Sequence, residues 1–310
     1  MNLRSARFAS ISALALATVA GLAVIATPST GQALDDQYSD WPQQIRLTGI
    51  VRDFRKYGSG NGAHPDFEQY NTGHRVGLVA PRLDQDGKPV LASTTGQPVN
   101  TQYRDSAGRN IMPSLYDRNR GDVAGRLGTT SSKAITSATT FAQWFRDVPG
   151  VNMSKNHTIT LTRMPGTNIY TFHEQDDEST PQREGFFPVD GELWNDSDPT
   201  YQHNYHFTFE LGTRFTYQRG KGQVFTFVGD DDVWVFINGQ LAIDVGGVHG
   251  AVSQTIDLDR FADLYDLQDG GDYELKFFFA ERHTTRSNCR IETNLHLRNA
   301  QLPTTSALFD

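Results

Sequence analysis

The sequence predicts an all-β fold, an antiparallel sandwich, and three observations lead to this prediction. Short runs of β-branched and aromatic residues, such as VFTFV at 224–228 and VWVFI at 233–237, are too short for helices and typical of strands. Other segments alternate apolar and polar residues with the two-residue period of a half-buried strand. Turn-forming residues separate these segments. We therefore expect a sandwich with long loop insertions and one or two short helices.

The N-terminal segment has the pattern of a secretory signal peptide. Arg4 and Arg7 precede an uncharged run that ends in small residues before Leu34. This pattern predicts a signal peptide over 1–33 and a linker over 34–44. An uncleaved signal anchor is the alternative, because the run is long enough to span a membrane. No later segment approaches transmembrane length.

Charge and length limit the possible partners and the domain count. The whole chain carries a formal charge of -8, and without residues 1–33, which hold two arginines and no acids, the charge is -10. Such an acidic chain is not expected to bind nucleic acid, because phosphate contacts need a basic surface. It suits an exported protein that meets divalent cations. The remaining residues are enough for one large β-domain.

The first half of the mature chain contains few regular patterns. Residues 46–54 predict an N-terminal strand, and 55–128 are rich in Gly, Pro, Asn, Asp and Ser, which predicts long loops. Within them, LDQDG at 83–87 predicts a β-turn, because it lacks the remaining acidic positions of a calcium-binding EF-hand loop.

One helix is expected, over residues 137–147. Phe141, Trp144 and Phe145 fall at positions i, i+3 and i+4, so they share one face, and Pro149-Gly150 ends the element. Such an aromatic stripe is typical of core packing, with a sugar-binding platform as the alternative. Strands follow at 157–163 and 168–173.

The second half predicts a series of strands. In HNYHFTFEL at 203–211 and in 290–298, alternate residues share one face, and 273–281 is a third such strand. Asn238-Gly239 predicts a two-residue type I′ turn, so VWVFI should form a hairpin with QLAID. Trp234 is expected to face the core. Cys289 has no partner for an intrachain disulfide, so we expect a buried free thiol, with an intermolecular bridge as the alternative.

Three consecutive aspartates, Asp230, Asp231 and Asp232, separate the two central strands. Adjacent carboxylates repel one another, so they are expected to be either hydrated in a solvated turn or neutralised by a cation. Ca²⁺ takes several hard oxygen ligands, and a rigid loop between buried strands can hold carboxylates for it.

Residues 229–249, GDDDVWVFINGQLAIDVGGVH, resemble the signature of the fibro-slime domain, a bacterial relative of the PA14 β-sandwich. The resemblance implies a PA14-like fold over 45–298 and a C-terminal tail over 299–310. Further segments agree with it in order along the chain: TGIVRDF at 48–54, HPDF at 64–67, FAQWFRDVPGVN at 141–152, GFFPVDG at 185–191, HNYHFTFEL at 203–211 and FFAERHTTRSN at 278–288.

The resemblance also implies a calcium site. In sugar-binding members of the PA14 group, an Asp-Asp pair joined by a cis peptide chelates calcium, and the ion binds two vicinal sugar hydroxyls. Counted back from the Asn238-Gly239 turn, the pair falls on Asp230 and Asp231. The family supplies an Asn from a later loop as a further ligand, and Asn288 matches it. Ca²⁺ held by these three residues is therefore expected.

Other polar residues are expected at the same end of the sandwich as ligand-binding residues. His is a poor calcium ligand, so the two histidines are assigned hydrogen-bonding or packing roles. In the alternative interpretation, Asp231 caps a turn and Arg282 or His283 neutralises the acids, which gives a buried polar network without a ligand. The predicted ligand-binding residues are Asp232, His249, Glu281, Arg282 and His283.

We expect a carbohydrate-binding or adhesion module that binds polysaccharide or glycoprotein glycans through calcium. The alternative is a structural component of extracellular slime or matrix, with calcium as a structural ion and self-association of the protein. Glu281 and one aspartate could be drawn as a glycosidase pair, but adjacent acids suit chelation better, and the catalytic motifs sought are missing. An enzyme is therefore not expected. Location at the surface or outside of a bacterial cell is expected, with the periplasm as an alternative.

Overall fold

A computed structural model describes residues 37–177 and 185–299. The predicted signal peptide over 1–33 and all of the predicted tail except Asn299 lie outside these residues. Among the described residues, no helix has the length and apolar character needed to cross a membrane. The regular elements, in chain order, are β1 Gln44–Phe54, β2 Arg75–Val76, β3 Gln97–Thr101, β4 Tyr103–Arg104, β5 Asn110–Ile111, β6 Arg126–Leu127, α1 Ala138–Phe141, β7 Asn152–Arg163, β8 Tyr170–His173, β9 Phe207–Thr216, β10 Val224–Gly229, β11 Asp232–Ile237, β12 Gln240–Val245, β13 Val252–Asp257, α2 Leu258–Phe261, β14 Asp272–Glu281, β15 Cys289–Thr293 and β16 Arg298–Asn299.

The described strands pair antiparallel, which confirms the predicted fold class. The large sheet has the order β12-β11-β14-β9-β1-β7-β8-β15-β10-β13, and β16 pairs with β9. Between β7 and β8 the pairing consists of only two residue pairs, Thr162 with Thr171 and Arg163 with Tyr170. This connection is much shorter than the pairing between β1 and β7, which runs from Gln44 to Phe54.

Aromatic contacts across the core show that the sheet forms two layers. Phe227 of β10 lies 5.6 Å from Phe277 and 6.5 Å from Phe279 of β14, measured between ring centroids. These two strands are far apart in the sheet order, so their side chains meet face to face across a sandwich core. The strands β10 and β11, consecutive in the chain, thus lie in opposite layers.

The predicted hairpin between β11 and β12 is confirmed. Asn238 and Gly239 have φ values of 49° and 73°, as both central positions of a type I′ turn require. The pairing of Ile237 with Gln240 closes the hairpin. Trp234 is fully buried, as expected, and its indole N–H donates to Asp244 Oδ1 at 3.1 Å.

A second hydrophobic core lies on the outer face of the β11-β14 layer, and the sequence did not predict it. The loops after β1, together with α1, cover this face. Strand β9 was expected to be half-buried, but its second face is buried too, because Glu210 accepts from Lys88 and Thr208 donates to Trp144 O. The second core contains Phe54, Phe67, Leu78, Val79, Ala134, Ile135, Phe141, Trp144, Phe145, Trp234, Phe236, Phe278 and Ala280.

The predicted helix over 137–147 is much shorter than expected. Ser137 caps α1, and its hydroxyl accepts from Thr140 N in a capping box, but the helix ends at Phe141. The Asn152 amide donates to Gln143 O and Arg146 O, so a side chain takes carbonyls that a longer helix would use. The aromatic residues of this segment are buried, which confirms their role in core packing.

The strand predicted over 290–298 is interrupted. Strand β15 ends at Thr293 because Asn294 Oδ1 accepts from Val224 N, yet the predicted inward residues, Leu295 among them, remain buried. Cys289 begins this strand as a buried free thiol, as predicted. In the loops after β1, Gly87 N donates to Asp84 O at 3.0 Å, as the predicted β-turn requires.

Candidate functional site

The three aspartates carry the chain from one layer of the sandwich to the other. Strand β10 ends at Gly229, and β11 begins at Asp232. Asp231 has a φ of 48°, a left-handed conformation that is uncommon for residues other than glycine, and it reverses the chain here. The peptide bond between Asp230 and Asp231 is trans, so the expected cis bond is wrong, and the φ of Asp231 makes the turn instead.

Asp230 is held by the loop that precedes β15. Its carboxylate accepts from Asn288 N at 2.5 Å, and the Asn288 amide also donates to it. A Cβ on Gly229 would lie 2.2 Å from Asn288 O, so only glycine allows the two chain segments to approach this closely. Burial raises the pKa of Asp230 against the hydrogen bonds from Asn288.

Asp232 forms an ion pair in the interior of the protein. Its Oδ2 accepts from Arg282 Nε at 2.5 Å, and its Oδ1 accepts from Gly247 N at 2.6 Å. Arg282 is fully buried, and it also donates to the carbonyl oxygens of Asp66 and Ala134. The guanidinium lies 4.8 Å from the centroid of the Trp144 ring. Arg282 thus ties the triplet to the second core.

Asp231 and Glu281 are two buried carboxyl groups without an ion pair in the described structure. Asp231 Oδ2 accepts from Arg282 N at 2.8 Å, while Glu281 Oε2 has no hydrogen-bond partner there. Burial raises the pKa of both groups well above their usual range. Repulsion from Asp232 and Asp230 adds to the shift of Asp231, and repulsion from Asp231 and Asp230 adds to that of Glu281. Arg282 lowers the pKa of Asp231 without offsetting its burial.

A cleft of about 210 Å³ opens beside this cluster. Asp230, Asp231, His249 and His283 line it, so the structure brings four of the predicted site residues to one surface. Asn288 bonds to Asp230 at its edge. The other predicted residues, Asp232, Glu281 and Arg282, are buried and do not line the cleft.

The two histidines differ in their environment. His249 Nδ1 is 2.8 Å from Gly250 O, and its buried Nε2 has no partner among the described residues. Burial lowers the pKa of His249. His283 lies beside Glu68, with 3.6 Å between Nε2 and Oε1.

Sequence reasoning missed Glu68. Its carboxylate accepts from Thr284 N at 3.1 Å and from Thr284 Oγ1 at 2.9 Å, and it lies 3.0 Å from His206 Nε2. Burial opposes ionisation, but these contacts together lower the pKa of Glu68 to about 2. Glu68 follows directly after HPDF at 64–67, which was the only signal that pointed to this segment. It fixes the loop that forms one wall of the cleft.

The residue types of the cluster suit a hard cation, but the present arrangement of their side chains does not. Carboxylate oxygens are the ligands that Ca²⁺ prefers, and Glu281 Oε2 is a buried oxygen without a partner in the described structure. Among the described residues, however, no three His, Cys, Asp or Glu side chains converge closely enough to hold a metal ion as they stand. Both oxygens of Asp230 are also occupied by Asn288.

Comparison with protein families identifies the class of domain. Residues 188–305 match the model of the PA14 domain, and this part includes the aspartate triplet, Glu281 and Asn288. This part of the chain is therefore similar to the PA14 domain, and the predicted resemblance is confirmed. The match supports a carbohydrate-binding or surface role.

The chain is similar to a group of proteins from Dictyostelium discoideum. It is 36% identical to protein psiQ over 211 residues, which cover 64% of this chain and 20% of psiQ. It is 35% identical to protein psiD over 237 residues, which cover 74% of this chain and 38% of psiD. The chain thus spans about a fifth to two fifths of the length of these relatives.

Solved structures show a weaker likeness. The PA14 domain of the antifreeze protein MpAFP is 13% identical with a TM-score of 0.21, over 31% of this chain and 45% of that one. A β-glucosidase from Kluyveromyces marxianus is 14% identical with a TM-score of 0.22, over 34% of this chain and 12% of that one. Both TM-scores lie well below 0.5, so neither likeness bears on function.

The relatives correct the expected localisation. The sequence analysis placed the protein at the surface or outside of a bacterial cell, with the periplasm as an alternative. The relatives come from Dictyostelium discoideum, a eukaryote. The predicted bacterial localisation, the periplasm included, is therefore wrong.

Proposed function

We propose that this chain is a non-catalytic carbohydrate-binding module with a role in adhesion, and that calcium in the acidic cleft binds its glycan. One observation carries the proposal. Four carboxylates, those of Asp230, Asp231, Asp232 and Glu281, are buried together beside a cleft that reaches solvent, and in the described structure only Asp232 makes an ion pair. Buried charges without partners are costly, so an external cation would stabilise them.

Asp230 and Asp231 are the proposed calcium ligands that line the cleft, with Asn288 beside them. Calcium binding would compete with the hydrogen bonds that Asn288 donates to Asp230, because both use the same oxygens. When bound, the ion supplies open coordination positions for two vicinal hydroxyls of a sugar. The side chains of His249, His283 and Thr284 surround that position as hydrogen-bonding groups.

The same geometry argues against glycoside hydrolysis. That reaction needs two carboxyl groups facing a substrate from opposite sides of a cleft. Glu281 is fully buried and does not line the cleft, and Asp231 is its neighbour in the same cluster. A substrate in the cleft would reach the aspartates from one side only, which suits binding through an ion.

Calorimetric titration of the protein with calcium tests the proposal, followed by retention on immobilised mannan, galactan and cellulose with calcium or with chelator. The wild type should bind calcium and retain at least one glycan in calcium only. Asp231→Asn should lose both activities, because the amide keeps the shape of the side chain but not its charge. Asp263→Asn, at an exposed position outside the cleft, is the matched control and should keep both.

Two results would contradict the proposal. If calcium binds without glycan retention and instead causes self-association, the ion is a structural component and the alternative role in an extracellular matrix holds. If calcium binds equally well to Asp231→Asn, the triplet is not its site.

A further inference from the structure

A second groove lies at the opposite end of strand β10. Gln223, which precedes the strand, lines this groove, whereas Asp230 follows the last residue of the strand. At the usual rise of an extended chain, the two ends lie roughly 20 Å apart. The groove has a volume of about 480 Å³ and shares no lining residue with the acidic cleft.

An aromatic stack forms one side of this groove. The rings of Trp41 and His296 stack with 5.1 Å between centroids and 29° between planes. Tyr38 meets Trp41 edge-on at 5.7 Å. Trp41 is partly buried against the main core, while His296 is exposed. The core therefore fixes the stack, and an aromatic surface remains open to solvent.

Polar side chains form much of the rest of the groove, and three of them have no internal partner in the described structure. Gln223 and Asn294 line it too, but backbone groups occupy their amides. The side chains of Asn168, Gln218 and Lys221 make no hydrogen bond or ion pair within the described structure. Gln218 and Lys221 are also exposed. These groups are available to a ligand without any loss of internal contacts.

The charge of the groove is opposite to that of the chain as a whole. The chain carries a formal charge of -8, yet no carboxylate is among the described residues that line the groove. Two cations line it. Arg298 is paired with Asp272, whereas the ammonium of Lys221 has no acidic partner in the described part of the chain. The groove thus favours an anion.

We infer that this groove binds an anionic saccharide, a polymer of uronic acid residues. The exposed ring of His296, which stacks on Trp41, receives the apolar face of a sugar ring, and Trp41 holds that ring in place through its own stacking on buried Tyr170. Lys221 pairs with a carboxylate of the saccharide in a charge-assisted hydrogen bond, and Asn168 and Gln218 bond its hydroxyls. This binding needs no calcium and does not depend on the proposed function of the acidic cleft.

Calorimetric titration with oligogalacturonate in the presence of chelator tests the inference. The fully methyl-esterified oligomer has the same rings without the charge and should bind more weakly. Lys221→Gln should weaken binding of the charged oligomer roughly three- to fivefold, as for the loss of an exposed ion pair, and leave the ester unaffected. Lys133→Gln removes an exposed lysine elsewhere and should change nothing. Added salt should weaken the charged oligomer selectively.

Further variants separate this groove from the acidic cleft. Gln218→Ala should weaken both oligomers without affecting the fold, because Gln218 is exposed. Trp41→Ala should abolish binding, once its thermal unfolding shows that the fold survives. Asp231→Asn should bind the oligomer like the wild type. Loss of binding in Asp231→Asn, equal affinity for the ester, or no binding at millimolar oligomer would each overturn the inference.

Discussion

The protein buries acidic side chains at two places, a single glutamate at one and a cluster at the other, and the two places differ in the cations that surround them. On the outer face of the β11-β14 layer, Glu210 of strand β9 accepts from Lys88 Nζ at 2.5 Å and from Arg52 Nη1 at 3.1 Å. At the end of the sandwich, Asp231 and Glu281 make no ion pair in the described structure, and Arg282 pairs with Asp232. Both groups are almost completely buried. Only the second one lies beside a cleft.

The difference shows what each group of acids can do. With two cations, Glu210 has all the charge compensation it needs from the protein itself. Asp231 and Glu281 have raised pKa values because burial is not offset. Glu210 has cationic partners within the protein, whereas Asp231 and Glu281 have no ion pair in the described structure. These two groups must therefore be neutralised by a proton or by an ion from solution.

The largest expected effect follows from removing Glu210. In Glu210→Gln the side chain is uncharged, so buried Lys88 loses its ion-pair partner while buried Arg52 retains its ion pair with Asp147, and the free energy of unfolding should fall by about 3 to 5 kcal/mol. Asp231→Asn in chelator should change it by less than about 1 kcal/mol, because the amide oxygen can still accept from Arg282 N. Urea unfolding measures both. Equal losses would remove the contrast between the two groups.

An intermediate effect is expected from calcium. At a calcium concentration 100 times the dissociation constant, the free energy of unfolding of the wild type should rise by about 2.7 kcal/mol. Asp231→Asn should show no such rise, and Asp263→Asn should show the full rise. Urea unfolding with and without calcium checks this. A rise that survives in Asp231→Asn would place the ion elsewhere.

The smallest effect concerns pH. Because the pKa of Glu281 is raised in the folded state, the folded protein holds this proton more tightly than the unfolded chain, and its contribution to stability is lost as pH rises from the unfolded value upward. Glu281→Gln should therefore gain stability relative to the wild type as pH rises above about 4.5 in chelator. Thermal unfolding across pH 4 to 8 measures this difference. A pH-independent difference would show that Glu281 ionises normally.

Local patterns in the sequence predicted the layers of the sandwich well. The alternation of apolar and polar residues predicted which side chains of β9 and β14 face inward, and Asn238-Gly239 predicted the hairpin between β11 and β12. Both signals depend only on neighbours in the chain. The extent of the α1 helix and the end of β15 could not be predicted, because Asn152 and Asn294 compete for the backbone from outside the pattern.

The sequence pointed to individual residues of the candidate site, but it could not predict the hydrogen bonds and ion pairs that join them. The resemblance pointed to the triplet and to Asn288, and in the structure Asn288 is hydrogen-bonded to Asp230, the first residue of the triplet. The burial of Arg282 and the contribution of Glu68 depend on the second core, which is built by loops without a periodic pattern. Contacts between Asp66 or Glu68 and the segment at 282–284 join residues far apart in the chain, so no local signal exists for them.

The position of Cys289 makes the acidic end of the sandwich open to kinetic study. Its thiol is buried, and burial raises its pKa well above the usual range, so the folded protein should resist alkylation. Cys289 pairs with Gly229, the residue directly before the triplet. A thiol reagent should therefore react only when β10 and β15 separate. Its labelling rate would then measure how often this local opening occurs.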